Sequence, residues 1–276
     1  MIAITENRTT GEVLGSRIDA LTWDDALSSI SRWAKTRQSR YVCLCNVHGV
    51  VAAIAETGLR KAINGADLAV PDGKPVAVAL ALQGFRGQPR ISGSELMWKC
   101  CERAAESGVS IFLYGSTSEN LSVLIEALKA SFPKLKIADA YSPPFRQLSD
   151  EEDADVVRII NDSGAGLVFV GLGCPKQELW MANHKGRIQA VMLGVGAAFD
   201  FHSGKVKRAP SWMQDMGLEW LSRLLREPRR LWRRYLITNS IFLTYLLWRT
   251  PAWILSRRGR SITGTLPAEQ ESRTYT

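Results

Sequence analysis

A carboxylate follows one of the apolar runs of this 276-residue chain, in the turn Pro71-Asp72-Gly73 after residues 66–70. If that run is a buried strand, Asp72 lies at an edge of a sheet, where its carboxylate can take a proton from a substrate hydroxyl as a general base. Asp before Gly is also ordinary turn chemistry. The sequence therefore predicts a candidate base at Asp72, with a purely structural turn as the alternative.

A second polar pair, Asn46 and His48, stands at the end of the neighbouring apolar run, residues 40–47. At the edge of a sheet such groups can hold a substrate hydroxyl. A lone histidine is more often structural than functional. Asn46 is therefore the candidate ligand here, and His48 keeps both interpretations.

Glycine-rich turns follow three other apolar runs, at Tyr114-Gly115-Ser116, Gly171-Leu172-Gly173 and Gly194-Val195-Gly196. Turns of this kind at the carboxyl edge of a parallel sheet place backbone N–H groups where an anion can bind. None completes the dinucleotide fingerprint, because Lys176 stands where a third glycine is required, so a nicotinamide or flavin site loses most of its support. Gly115 and Gly173 are candidate substrate contacts, although plain turns account for them equally well.

The segment Gly173-Cys174-Pro175-Lys176-Gln177-Glu178 predicts a helix that opens on Pro175. Proline and an acidic residue in the first turn are ordinary helix-start chemistry. That chemistry leaves the amide of Gln177 and the ammonium of Lys176 unexplained at the ligand edge. Cys174 is not expected to be a nucleophile, because no histidine lies near it in sequence.

The sequence predicts neither a metal site nor a disulfide framework. The acidic string 150–155 contains a D-x-D pattern, but it follows Ser149 at a helix start, where acids favour the helix dipole. The five cysteines form no C-x-x-C pair and have no histidine-rich neighbours. We therefore expect no cofactor, no required divalent metal, and a reducing cytoplasmic environment.

The elements that position these residues alternate between strand and helix patterns. Strands are predicted at residues 40–47, 66–70, 109–114, 135–140 and 166–170, with a further one before Gly194. Helices are predicted at residues 22–36, 50–64, 74–82, 92–107, about 118–132 and 149–163. This alternation indicates an α/β fold, a mostly parallel sheet with helices on both faces, over residues 1–202.

Positive charge is concentrated in residues 203–260, which carry thirteen Lys and Arg against three Asp and Glu. Tryptophan, tyrosine and leucine alternate with these arginines, which is typical of a helix lying in a membrane interface. Nucleic acid is the rival partner, but the apolar run 237–248 favours lipid; a buried pair of amphipathic helices is the structural alternative. We expect a basic helical appendage over 203–260 and a disordered tail over 261–276. No run is long enough to predict a spanning helix, and no signal peptide is evident.

Six ordered motifs run through the chain: ADLAVPDGKPV (66–76), RISGSEL (90–96), IFLYGS (111–116), LVFVGLGCPKQELW (167–180), VGAAFDFHSGKVKRAPSWM (195–213) and GLEWLSRLLREPRRLWRRYL (217–236). On these motifs the chain resembles the WecG/TagA/CpsF family of bacterial glycosyltransferases over roughly residues 12–240. Their joint order and spacing make the match strong.

The resemblance implies a Rossmann-like fold and inverting transfer of a sugar from a UDP-sugar to a polyprenyl-diphosphate-linked sugar. It implies that Asp72 is the catalytic base and that Asn46, Arg90 and Gln177 occupy substrate-site positions. Leu44 stands where the family's T-x-N motif has threonine.

For the appendage, the resemblance implies attachment to the inner face of the cytoplasmic membrane. It also implies that arginines of the appendage bind the diphosphates, for which Arg223, Arg226 and Arg230 are the candidates. A membrane-attached regulatory protein that binds a nucleotide without catalysis is the alternative. Nucleic acid is not expected as a partner, and a homo-oligomer is compatible with the sequence.

Overall fold

The computed structural model describes residues 8–255. Its strands are β1 Thr10–Val13, β2 Ser16–Asp19, β3 Arg40–Cys45, β4 Leu68–Pro71, β5 Ser110–Gly115, β6 Lys136–Tyr141, β7 Leu167–Gly171 and β8 Val191–Gly194. Its helices are α1 Trp23–Lys35, α2 Val47–Ala55, α3 Thr57–Asn64, α4 Lys74–Leu82, α5 Gly93–Ser107, α6 Ser118–Ser131, α7 Asp150–Asp162, α8 Lys176–His184, α9 Ala198–His202, α10 Ser211–Asp215, α11 Glu219–Arg226 and α12 Pro228–Leu255.

Six strands form one parallel sheet in the order β4-β3-β8-β7-β5-β6. Helices pack on both faces of this sheet. Buried side chains of α2, α3, α4, α7 and α8 form one core layer, and those of α1, α5, α6 and α9 form the other. Strands covered on both faces are apolar throughout, which is why the sequence shows continuous apolar runs. The predicted α/β fold with helices on both faces is confirmed, together with a long C-terminal helix.

Two local predictions are wrong. The helix expected over 50–64 is two helices, α2 and α3, because Glu56 between them has extended backbone angles (φ −103°, ψ 91°). Asn46 caps α2 by accepting from the Gly49 N–H at 3.0 Å, so that helix begins at Val47. The helix expected to open on Pro175 begins one residue later, at Lys176.

The antiparallel hairpin of β1 and β2 precedes the predicted elements and was not expected. Its turn is Leu14-Gly15, in which both residues have positive φ (53° and 78°). Such turns match the twist of paired strands and favour glycine. The leucine hides the usual Asn-Gly or Asp-Gly signal.

The C-terminal helices lie against the α/β unit. One face of α12 is buried through Leu231, Thr238 and Phe242, and the Tyr245 hydroxyl donates to the Glu12 carbonyl at 3.3 Å. The proposed boundary near residue 202 coincides with the end of α9 and stays a prediction. Residues 256–260 of the appendage and the tail expected over 261–276 lie outside the described residues.

Candidate active site

A cavity of about 550 Å³ lies at the carboxyl ends of β3, β4, β7 and β8, beneath α11 and α12. Ligands of open α/β sheets bind in this position, outside the carboxyl ends of the strands. Seven of the nine site residues predicted from the sequence line it: Asn46, Asp72, Arg90, Gly173, Gln177, Arg223 and Arg226. The fold thus gathers residues that are up to 180 positions apart in the chain.

Asp72 follows β4 directly and faces the cavity, partly exposed. Its backbone N–H donates to the Cys45 carbonyl at 3.0 Å, which fixes the turn to the neighbouring strand. Burial, with the nearby Glu219 carboxylate, raises the pKa of Asp72 to about 6, against the lowering effects of Asn46, Arg90 and the Gly93 N–H. A base with a pKa just below neutral is ionised at pH 7 and still accepts a proton readily.

Arg90 lines the cavity beside Asp72 and joins the α/β unit to the C-terminal helices. Its guanidinium donates to Glu219 at 2.7 Å, to Glu95 at 3.2 Å and to Gln214 at 3.4 Å. Arg208 lies 3.5 Å from Glu95 and 3.7 Å from Glu219. Two arginines and two glutamates therefore form one ion-pair network that connects α5 to α11.

Gln177 is 5% exposed, and its amide is bonded to the protein. Nε2 donates to the Gly194 carbonyl at 2.8 Å and to Glu178 at 2.9 Å, while Oε1 accepts from the Gly173 N–H at 3.2 Å. The side chain thus ties together the two glycine turns that follow β7 and β8. Its predicted contact with substrate stays a prediction; the structure adds a role in shaping the cavity.

The side of the cavity formed by α11 and α12, its roof, is cationic, because Arg223, Arg226 and Arg234 line it. The Nε–H groups of Arg223 and Arg234 are buried without a hydrogen-bond partner, whereas Arg226 donates to the Lys207 carbonyl. Burial lowers the pKa of Arg234, and the positive charges of Arg223 and Arg230 lower it further. A buried cation with a free N–H group calls for an anion. This roof is therefore suited to a phosphate group.

His48 and Glu178 line the same cavity, at the end near Arg234. Burial, with the charge of Arg234, lowers the pKa of His48 to about 4, and its Nδ1 atom is buried without a partner. Glu178 is 3% exposed, burial raises its pKa, and its Oε2 atom also lacks a partner. The interpretation of Glu178 as an ordinary helix-start acid was therefore incomplete.

Cys174 also borders the cavity, and burial beside Glu178 raises the pKa of its thiol well above the ordinary value. A thiol that stays protonated is a poor nucleophile. This agrees with the expectation that Cys174 is not the reacting group.

Two predicted site residues do not line the cavity. Gly115 ends β5 with φ +117°, and a Cβ there would lie 2.7 Å from the Gly171 carbonyl carbon, so close strand approach explains this glycine. Arg230 is exposed and pairs with Glu227 at 2.9 Å. Arg234, one turn further along α12, occupies the place in the roof that was expected of Arg230.

The acidic string 150–155 forms the first turns of α7, capped by Ser149 with Glu152. Asp153 pairs with His184 at 2.9 Å and with Arg187 at 2.7 Å. Over residues 8–255, no group of three or more His, Cys, Asp and Glu side chains has the arrangement of a metal site.

An apolar face of α12 remains uncovered beside the cavity. Ile237, Leu247 and Trp248 are 57%, 69% and 75% exposed, and Leu243 lies both on this face and in the cavity wall.

No helix of the described region has the combination of length and hydropathy that crossing a bilayer requires.

A sheet edge that joins a carboxylate of raised pKa to arginines with free N–H groups has the composition of a transferase site for phosphate-bearing substrates. The comparisons with known proteins specify this class. Residues 11–254 match the glycosyl transferase WecG/TagA/CpsF family, and the chain belongs to that family. The resemblance seen in the motifs is thereby confirmed, and the protein is a glycosyltransferase.

Three relatives are each named N-acetylglucosaminyldiphosphoundecaprenol N-acetyl-beta-D-mannosaminyltransferase. The protein of Bacillus spizizenii is 36% identical over 178 residues, covering 63% of this chain and 66% of the relative. That of Bacillus subtilis is 34% identical over 196 residues, covering 71% and 74%. That of Staphylococcus aureus is 29% identical over 225 residues, covering 80% and 87%.

Proposed function

We propose that the protein transfers a sugar from a UDP-sugar to a polyprenyl-diphosphate-linked sugar, with inversion at the anomeric carbon, in the synthesis of a cell-surface polysaccharide. Family membership and the names of the three relatives support this reaction class. The observation that carries the proposal is the sharing of one cavity by Asp72 and the unpartnered guanidinium N–H groups of Arg223 and Arg234.

Asp72 is the proposed general base. The acceptor hydroxyl oxygen attacks the anomeric carbon of the donor and its proton passes to the Asp72 carboxylate, while the bond from that carbon to the diphosphate breaks. The leaving UDP takes the electron pair of the broken bond. One displacement of this kind inverts the configuration of the anomeric carbon.

The arginine roof supplies the charge that the departing diphosphate requires. Charge-assisted hydrogen bonds from guanidinium groups to phosphate oxygens are short and strong, and they strengthen as negative charge develops in the transition state. Arg223, Arg226 and Arg234 are the candidates that line the cavity. These groups act without a metal ion, so we propose that none is required.

The exposed face of α12 is the proposed contact with the membrane surface. Its apolar side chains enter the headgroup region, and the surrounding arginines bind anionic lipid. Because Leu243 belongs both to this face and to the cavity wall, the cavity is next to the surface from which a lipid-linked acceptor arrives. We propose peripheral attachment to the inner face of the cytoplasmic membrane on these grounds.

A donor screen with the full-length protein tests the proposal. A short-chain polyprenyl diphosphate carrying N-acetylglucosamine is offered with UDP-linked N-acetylmannosamine, its uronic acid, and glucose, and UDP release and glycolipid product are measured together. We expect one donor to give stoichiometric UDP and product. Binding of UDP-sugars without turnover on any acceptor would favour a nucleotide-binding regulatory protein instead.

A further inference from the structure

Glu219, in the first turn of α11, accepts the shortest of the hydrogen bonds that Arg90 donates to a carboxylate or amide oxygen, at 2.7 Å. Its second carboxylate oxygen faces Arg208 at 3.7 Å. Both arginines also reach Glu95 of α5. Glu219 is therefore the carboxylate by which α11 is held to the sheet edge.

Arg90 and Asp72 line the same cavity, and the charge of Arg90 acts on Asp72. Nevertheless, the described contacts of the Arg90 guanidinium go to Glu219, Glu95 and Gln214. An arginine released beside an aspartate pairs with it and makes it a weaker base. The groups that bind the Arg90 guanidinium therefore affect how readily the Asp72 carboxylate accepts a proton.

We propose that Glu219 is a positioning residue: by binding Arg90 it holds α11 over the cavity and keeps the Arg90 guanidinium from pairing with the Asp72 carboxylate. The role adds Glu219 to the site, because the residues predicted from the sequence do not include it. It rests on the proposed function, because the base that it serves is Asp72.

By attaching α11 to Arg90, Glu219 also positions the arginines of α11 that line the cavity. Arg223 and Arg226 lie one and two turns after Glu219 on the same short helix, and both line the cavity. The ion pair of Arg90 with Glu219 consequently links the environment of Asp72 to the position of Arg223 and Arg226. Loss of the Glu219 charge is expected to change the pKa of Asp72 and the position of these two arginines.

The groups that act on Asp72 come from four elements. They are Cys45 at the end of β3, Asn46 at the start of α2, Arg90 and the Gly93 N–H at the start of α5, and Glu219 of α11. Lys74 at the start of α4 lines the same cavity. Among these, Glu219 is the negative charge that raises the pKa of Asp72, and Arg90 is the cation that lowers it. Removing the Glu219 charge takes away the influence that raises the pKa of Asp72, and it also frees Arg90 to lower that pKa further.

The test compares the pH dependence of kcat/KM for the wild type, Glu219→Gln and Glu227→Gln. Glutamine keeps the size of the side chain and an acceptor oxygen but not the charge, so we expect the fold to be retained while the hold on the Arg90 guanidinium weakens. We expect Glu219→Gln to lower the plateau of kcat/KM about 10-fold and to move the acidic limb down by about 1 pH unit, since Asp72 becomes a weaker base. Glu227→Gln is the matched control: it removes a carboxylate just after α11 that pairs with the exposed Arg230 outside the cavity, and its acidic limb should stay where the wild type has it.

A second readout does not depend on turnover. Amide hydrogen exchange across 219–226 should be faster in Glu219→Gln than in the wild type, because α11 loses its ionic attachment. An active wild type whose Glu219→Gln variant keeps the acidic limb in place would overturn the proposal. An inactive wild type would count against the proposed function, and unchanged exchange in Glu219→Gln would then still reject the role of Glu219.

Discussion

The Asn46 Nδ2 atom lies 3.5 Å from Asp72 Oδ2, at the ends of two neighbouring strands. This closeness follows from register, since Cys45 of β3 pairs with Pro71 of β4 and the next residues leave the sheet side by side. The Asn46 Oδ1 atom is occupied by the Gly49 N–H. Its Nδ2 atom is consequently turned toward the carboxylate, where it steadies the ionised form of Asp72.

Arg234→Gln should lower kcat/KM for the phosphate-bearing substrates, because one charge-assisted hydrogen bond to a phosphate oxygen is lost. A hydrogen bond to a charged group contributes about 1.5–3 kcal/mol, which corresponds to roughly 10- to 100-fold in kcat/KM. The measurement is steady-state kinetics with the donor and acceptor varied separately. Arg229→Gln on the exposed side of α12 is the matched control, and an equal loss in both variants would argue against a specific roof contact.

Membrane attachment should depend on the exposed stripe formed by Ile237, Ile241 and Trp248. Replacing all three with glutamine removes several kcal/mol of apolar burial, since one large side chain contributes about 1.5–3 kcal/mol. We expect binding to anionic vesicles to fall on the order of 100-fold in a flotation assay. Phe145→Gln, in the loop after the edge strand β6 and 89% exposed, should bind as the wild type does. Retention of the triple variant on vesicles would reject the interfacial face.

Activity should persist in EDTA, because arginines and turn N–H groups supply the charge for the departing diphosphate. The rate is measured before and after dialysis against the chelator, then with Mg²⁺ or Mn²⁺ added. A rate within about twofold of the starting value is expected. Loss in chelator that either cation restores would show that a metal takes part.

Gly115→Ala should destabilise the fold more than Gly164→Ala. Both glycines have positive φ, which costs a non-glycine residue about 1–2 kcal/mol. Only at Gly115 does the new Cβ also meet backbone, at 2.7 Å, whereas Gly164 has nothing within 4 Å. Urea unfolding measures the loss in the free energy of unfolding for each variant. Equal losses would mean that the close approach of β5 to β7 does not require glycine at position 115. A ligand contact would then again be the better explanation of Gly115.

The strands and the floor of the site could be predicted from the sequence because both depend on local patterns. Continuous apolar runs identify strands buried on both faces, and a polar residue directly after such a run lies at the sheet edge by necessity. Asp72, directly after β4, and Asn46, directly after β3, follow this rule. The hairpin turn Leu14-Gly15 escaped because its leucine is not a residue typical of turns.

The roof could be predicted only in part. Which turn of α12 covers the cavity depends on the bend at Glu227, where φ is −129° and ψ is 56°. That angle places Arg234 in the roof and leaves Arg230 outside, although the two lie one turn apart. Glu219 was hidden for a related reason, because its partner Arg90 is 129 residues away in the chain.

The central claim is that Asp72 takes the proton from the acceptor hydroxyl, and the pH profile of Asp72→Asn against wild type tests it most directly. The wild-type kcat/KM should rise with pH through an acidic limb near 6, since Asp72 acts as a base only when ionised. Asp72→Asn should retain donor binding, lose about 10²- to 10⁴-fold in turnover and show no limb near 6. Glu126→Gln, on the exposed side of α6, should match the wild type. Near wild-type turnover in Asp72→Asn, or an unchanged acidic limb, would contradict the account.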